Sequence, residues 1–111
     1  MINYKFNEDV LLEEIRAYID NTYNQHYSQG KFQSTEFIMD NGLGEGFCLG
    51  NVLKYTQRYG KKGSPEDHRK DISKVIHYGL LALHNHDLTY GENINEIEWN
   101  NPEYSKKLFY Y

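Results

Sequence analysis

A single cysteine, Cys48, stands in this chain of 111 residues. No internal disulfide can form from it, and a CxxC metal site is excluded. Flanked by Phe47 and Leu49, the thiol is expected to be buried and inert rather than a nucleophile. Long apolar runs are missing too. Nothing approaches the ~18 residues of a membrane span. The opening Met1-Ile2-Asn3-Tyr4-Lys5-Phe6 has no apolar stretch of the signal-peptide kind. A soluble protein of the cytoplasm is expected. Glycine-rich phosphate loops are also lacking. No G-x-x-x-x-G-K-S/T occurs, Gly60-Lys61-Lys62-Gly63-Ser64 lacks the first glycine, and Gly42-x-Gly44 does not complete G-x-G-x-x-G. An ordinary nucleotide-fold enzyme is therefore disfavoured. No repeat, low-complexity stretch or linker divides the chain, and its length suits one domain with one core.

The net charge is −4, unevenly spread: residues 51–80 carry +4 and the remainder −8. A lone basic segment in an acidic chain argues against a general nucleic-acid coat, and against duplex binding, which want a broad basic face. It suits a small anionic ligand or an acidic partner; the alternative is a solvated helix face on an acidic surface. Eleven tyrosines supply much of the apolar bulk. Such amphipathic rings belong at a core edge, at an interface or on a ligand, and a homo-oligomer is expected through them.

The spacing predicts a mainly α, compact bundle of about four helices. Asn7 is a candidate N-cap for a first helix over 8–24, with Leu11, Leu12, Ile15, Tyr18, Ile19, Thr22 and Tyr23 at helical intervals. Gly30 reads as a break, followed by a short helix over 32–40 with Phe32, Phe37 and Ile38 inward. Asn41-Gly42 reads as its stop. A third helix covers about 45–59, with Phe47, Leu49, Val52, Leu53 and Thr56 as its packing surface. Gly46 and Gly50, four apart, are expected to let another backbone approach. Ser64, Pro65 and Asp67 resemble a capping box opening a fourth helix, Pro65 to about His86. Its inward stripe is Ile72, Val75, Ile76, Gly79, Leu80 and Leu83. These helices make a domain over 1–87. Residues 88–111 form an acidic, aromatic extension expected to dock on the core or on a neighbouring subunit. Asn101-Pro102-Glu103 is a candidate start for one last short helix, and Ile2–Phe6 and Leu108–Tyr111 for a terminal strand pair.

Asn51, Lys54, Tyr55 and Arg58 fall at i, i+3, i+4 and i+7, on one side of the third helix. Their amide and cationic donors suit two or three phosphate or carboxylate oxygens. Lys61 and Lys62 follow on the loop. Lys70 and Lys74 point back if the last two helices pair antiparallel. The competing reading makes these side chains surface ion pairs with Glu66, Asp67 and Asp71, worth roughly 0–1 kcal/mol each. His26-Tyr27 is either a ligand-orienting pair or a loop anchor. The His84-Asn85-His86-Asp87 run is a weak metal signal, and neither a metal nor another cofactor is expected. No catalytic residue can be assigned.

His26-Tyr27, Glu36, Gly42-Leu43, Gly46-Phe47-x-x-Gly50-Asn51-x-x-Lys54-Tyr55-x-x-Arg58, Lys61-Lys62-Gly63, Glu66-Asp67, Lys70 and Tyr78 together resemble the SaV-like family of small tailed-phage proteins, over roughly residues 26–82. A similar module occurs in a coliphage nucleotide kinase without a Walker motif, and another member is linked to abortive infection. The resemblance implies a phage or prophage origin, a bacterial host cytoplasm and a nucleotide ligand. In that reading Asn51, Lys54 and Arg58 hold the phosphate, supported by Lys61, Lys62 and Lys70, while Tyr55 and His26-Tyr27 stack on or orient a base. Non-catalytic binding is favoured over kinase turnover. The alternative class is an interaction module that inhibits or modulates a host protein through its acidic, aromatic tail.

Overall fold

A computed structural model describes residues 1–25 and 28–91, with the backbone alone at 28 and 29. Four helices follow in order: α1 (Glu8–Tyr23), α2 (Ser28–Asp40), α3 (Gly44–Arg58) and α4 (Pro65–Tyr90). Among the described residues there is no strand. No helix there is long and apolar enough to cross a membrane. His26, Tyr27, the suggested last helix near Asn101 and the Leu108–Tyr111 strand lie outside the described residues, as does the extension beyond Gly91.

Helix ends follow local chemistry, with two departures from the expected bounds. Asn7 does occupy the N-cap of α1, but it is left-handed (φ 58°) and its side chain caps nothing. The Glu8 carboxylate instead accepts the Phe6 N–H at 3.1 Å. α2 starts at Ser28, four residues early, so Gly30 lies inside the helix. One glycine costs about 1 kcal/mol in a helix and does not by itself stop it. Gly42 closes α2 in a Schellman arrangement: its N–H reaches Met39 O at 3.0 Å and that of Leu43 reaches Ile38 O at 3.1 Å.

The capping box of α4 is complete. Ser64 Oγ accepts the Asp67 N–H at 3.3 Å, and Asp67 Oδ2 accepts the Ser64 N–H at 3.0 Å. Gly63 makes room for it: a Cβ there would sit 2.7 Å from Asp67 Oδ2 and at a φ of +89°. α4 then runs to Tyr90, four residues beyond the expected end, where left-handed Gly91 donates to Asp87 O at 2.8 Å. Its 26 residues span about 39 Å.

α4 is the axis of the fold. α3 folds back antiparallel to it, forming the most extensive contact. Arg58 meets Asp71 at one end of that seam and Gly44 meets Asn85 at the other. α1 runs parallel to α4, tied by an Arg69–Glu14 fork with two N···O distances of 2.5 Å and by Tyr18 edge-on to His77 at 5.6 Å. α2 bridges the two layers, stacking Phe32 on Tyr23 with centroids 4.3 Å apart.

Burial corrects part of the expected core. Cys48 is fully buried, as expected, and burial pushes its thiol above the ordinary range. It is the one buried hydrophobic side chain among the described residues. Phe37, Leu49 and Leu53 are 70%, 47% and 69% exposed, and Thr56 is also exposed. α3 turns Gly44, Cys48, Val52 and Tyr55 toward α4, which leaves 49, 53 and 56 on its flank. The tight glycine is Gly44, not Gly46 or Gly50. A Cβ on Gly44 would press into the Asn85 amide and come within 2.9 Å of Met39 Cγ, whereas Gly46 and Gly50 face open space. On α4 only part of the predicted stripe turns inward. Val75 is half-buried toward α3, whereas a Cβ on Gly79 would meet nothing within 4 Å and Ile72, Ile76, Leu80 and Leu83 remain 40–54% exposed.

Candidate functional site

The polar face of α3 forms where the antiparallel hairpin places it, and most of it is turned into the seam with α4. Asn51 is half-buried, and its Nδ2 donates to the Phe47 carbonyl one turn back at 2.8 Å. Arg58 Nε lies 3.7 Å from Oδ1 of Asp71, whose side chain is only 3% exposed. A carboxylate that deep needs a counter-charge, and Arg58 supplies it from the neighbouring helix. Lys61 Nζ donates to Gln57 Oε1 at 3.2 Å, and Lys70 Nζ sits 3.9 Å from Glu66. Lys62 is exposed on the loop. The Arg58 and Lys70 pairs are those that the ion-pair reading anticipated. Asn51, Lys54, Arg58, Lys61, Lys62 and Lys70 are not among the residues lining the cavity between the four helices.

A concavity does form one step around α4. It encloses about 290 Å³ between α1, α2, α3 and α4 and is lined by Tyr18, Asn21, Thr22, Gln25, Lys31, Phe32, Thr35, Tyr55, Lys74, His77, Tyr78 and Leu81. Tyr55 is the point at which it meets the face predicted from sequence. That ring lies nearly parallel to Tyr78, with centroids 5.9 Å apart and planes at 17°. Two ammonium groups approach it, Lys74 Nζ at 4.9 Å and Lys54 Nζ at 5.1 Å from its centroid. Such cation–π contacts are worth about 0.5–2 kcal/mol and hold the lysines beside the pocket without neutralising them. Lys74 therefore does reach back to α3, as the antiparallel pairing predicted.

The electrostatics of the lining are one-sided. Lys31 and Lys74 are cationic, and no carboxylate lines the pocket among the described residues. Burial, then the charge of Lys31, pushes His77 below its ordinary value, so it is neutral at pH 7. Burial also raises the phenols of Tyr18 and Tyr78, each further by its phenolic neighbours, so both stay protonated and able to donate. The hydroxyls of Thr22 and Thr35 donate to the carbonyls of Ile19 (2.7 Å) and Lys31 (3.1 Å), which turns their lone pairs to acceptor duty. The pocket thus offers two cations, a neutral imidazole, stacked rings and mixed donors and acceptors. That set fits an anion carrying a planar ring.

Reading the sequence by helix face singled out Tyr55, Lys54 and Lys74. It missed Tyr18, Lys31 and His77, which come from three separate helices and share no spacing. His26 and Tyr27 directly follow Gln25, which lines the pocket, but lie outside the described residues.

Residues 21–79 match the model of a family described as a protein of unknown function, DUF3310. The match runs from the end of α1 into α4 and includes every residue lining the pocket except Tyr18 and Leu81. No curated protein and no solved structure matches the chain.

Proposed function

The chain belongs to the DUF3310 family, and we propose that it binds a nucleotide or a similar phosphate-bearing ring compound in the pocket between α1, α2, α3 and α4. One observation carries this reading: Lys31 and Lys74 face a tyrosine-walled cavity of about 290 Å³ lined by no carboxylate among the described residues. The phosphate would lie against the two ammonium groups, with Lys54 adding charge beside Tyr55. The base would lie against the Tyr55–Tyr78 wall, its edge read by His77 and the neighbouring amides and hydroxyls. The basic face first marked on α3 thus contributes through Lys54 and Tyr55, while Asn51 and Arg58 support the helix pair that shapes the cavity. The resemblance to SaV-like phage proteins supports a setting in an infected bacterial cytoplasm, with the ligand either consumed in nucleotide metabolism or sequestered from a host signal.

Thermal shift and titration calorimetry with a nucleoside monophosphate, the matching nucleoside and inorganic phosphate test the proposal. The monophosphate is expected to raise the melting temperature most. Lys74→Ala or Lys31→Ala should weaken it about 10- to 100-fold, the worth of one charge-assisted hydrogen bond. Lys61→Ala and Lys62→Ala should leave it unchanged. No shift with any nucleotide, or loss only on changing the loop lysines, overturns the assignment.

A further inference from the structure

α4 is covered on three of its four sides. Asp71, Val75, Tyr78 and Asn85 form its α3 side. Arg69, Ser73 and His77 form its α1 side, where Ile72 and Ile76 also border Leu11 and Ile15, and Lys74 and Leu81 turn to the pocket between the four helices. At 100° per residue, the fourth side is Ile72, Ile76, Gly79 and Leu83. Ile72, Ile76 and Leu83 are 45%, 40% and 54% exposed, and a Cβ on Gly79 would meet nothing within 4 Å. Open grooves run along both margins of this stripe. One is walled by Leu12, Ile15 and Ile19 of α1 with Leu80, the other by Leu49 of α3 with Leu83.

We propose that this face is covered by a second copy of the chain, with the two α4 helices antiparallel about a two-fold axis. Three observations favour that occupant. Residues 72, 76, 79 and 83 are spaced four, three and four apart, the repeat of a helix–helix seam. The spacing reads the same in both directions, so an antiparallel copy sets Ile72 against Leu83 and Ile76 against Gly79 at both ends of one self-complementary patch. The glycine lets the isoleucine of the opposing helix seat. Area agrees as well. With Leu12, Leu49 and Leu80, each roughly half exposed or more, the stripe opens about 550 Å² of apolar residue surface, close to the ~600 Å² per partner at the lower end of a standard interface. It lies at the upper end of the ~300–600 Å² that the largest patch of a monomer exposes. Finally, a protomer whose described residues bury one hydrophobic side chain fully has little to set against its conformational entropy, and a shared core supplies the difference.

Sedimentation of the 111-residue chain is expected to give twice the 13.2 kDa protomer mass. Ile76→Asp with Leu80→Asp should give a single protomer. Cross-linking gives a second measurement that does not depend on that variant folding. The Ile72→Cys, Leu83→Cys double variant should oxidise to a covalent dimer, while neither single variant does. Cys48 is buried and does not compete. Cross-linking of each single variant to itself would mean a parallel pair and overturn the register. A 13.2 kDa wild-type species overturns the dimer. If Leu80→Asp then shifts its Trp99 emission to the red, the face belongs to the chain's own C-terminal segment.

Discussion

Replacing Arg58 with alanine separates the two roles open to that residue, because the structure assigns its charge to a buried partner. Asp71 is 3% exposed at its side chain, and Arg58 Nε stands 3.7 Å from its carboxylate. Breaking a fully buried pair by removing one partner costs about 3–5 kcal/mol. An exposed pair is worth about 0–1 kcal/mol. Arg58 is 47% exposed, which puts Arg58→Ala between these limits, near ~2 kcal/mol. That corresponds to a fall in melting temperature of roughly 10 °C for a domain of this size. Asp71→Asn keeps the shape, removes the buried charge and leaves Arg58 half in water, so it should cost less, about 1 kcal/mol. The double variant should resemble Asp71→Asn alone, with a coupling energy of about 1–2 kcal/mol. Chemical denaturation of the four proteins at one concentration closes the cycle. Stability of Arg58→Ala within 0.5 kcal/mol of wild type, taking that as the ordinary scatter of surface changes, would refute the latch. Strict additivity would refute it as well. Either result would return Arg58 to the candidate anion ligands.

Three further outcomes follow from named contacts. Gly44→Ala should destabilise by about 1–3 kcal/mol through overpacking against Asn85 and Met39, while Gly46→Ala and Gly50→Ala, which meet open space, should stabilise by up to about 1 kcal/mol each; denaturation midpoints distinguish the two classes. Ser64→Ala removes one half of the capping box and should cost about 1 kcal/mol, read in the same way. Burial holds His77 below its ordinary value of 6.5, so the unfolded chain takes up a proton there before the folded one does. Stability should therefore fall as pH drops below about 6.5 and level off below the folded value. His77→Gln should flatten the profile between pH 7.5 and 5.5, and an unchanged profile would mean that His77 is solvated in the folded state.

Local chemistry made the helices legible, and tertiary placement decided what they do. Ser64, Pro65 and Asp67 form the capping box their order predicts, and Gly42 stops α2 because its position after Asn41 favours the left-handed turn. Helix ends that rest on one weak signal shifted: Gly30 did not break α2, and nothing stopped α4 at His86 before Gly91. The α3 residues at i, i+3, i+4 and i+7 do share a face. Sequence offered the pairing with Asp71 only as a surface ion pair in the competing reading, and could not say that the antiparallel partner helix would bury that carboxylate. Nor could it assemble Lys31, His77 and Tyr18, which meet only because α1 lies parallel to α4 while α2 closes the end.

The α4 stripe carries the more general point. A repeat of apolar residues every three or four positions reports that a helix face is withdrawn from water, and it is silent on whose atoms do the covering. Ile72, Ile76, Leu80 and Leu83 satisfy the pattern, and within one chain they remain 40–54% exposed. Polar residues take much of the buried space: Thr35, Asp71 and Asn85 are buried, as is Cys48. Asp71 and Asn85 meet α3 through specific contacts rather than bulk apolar area, at Arg58 and at Gly44, so they orient the helices more than they stabilise them. The apolar area able to stabilise the fold lies on the side of α4 away from the pocket. One helix therefore carries both features, with Lys74 and Leu81 on the pocket side and Ile72, Ile76 and Leu83 opposite. A change on the apolar face that loosens α4 should then weaken ligand binding without touching a pocket residue, and a change confined to Lys74 should leave assembly intact.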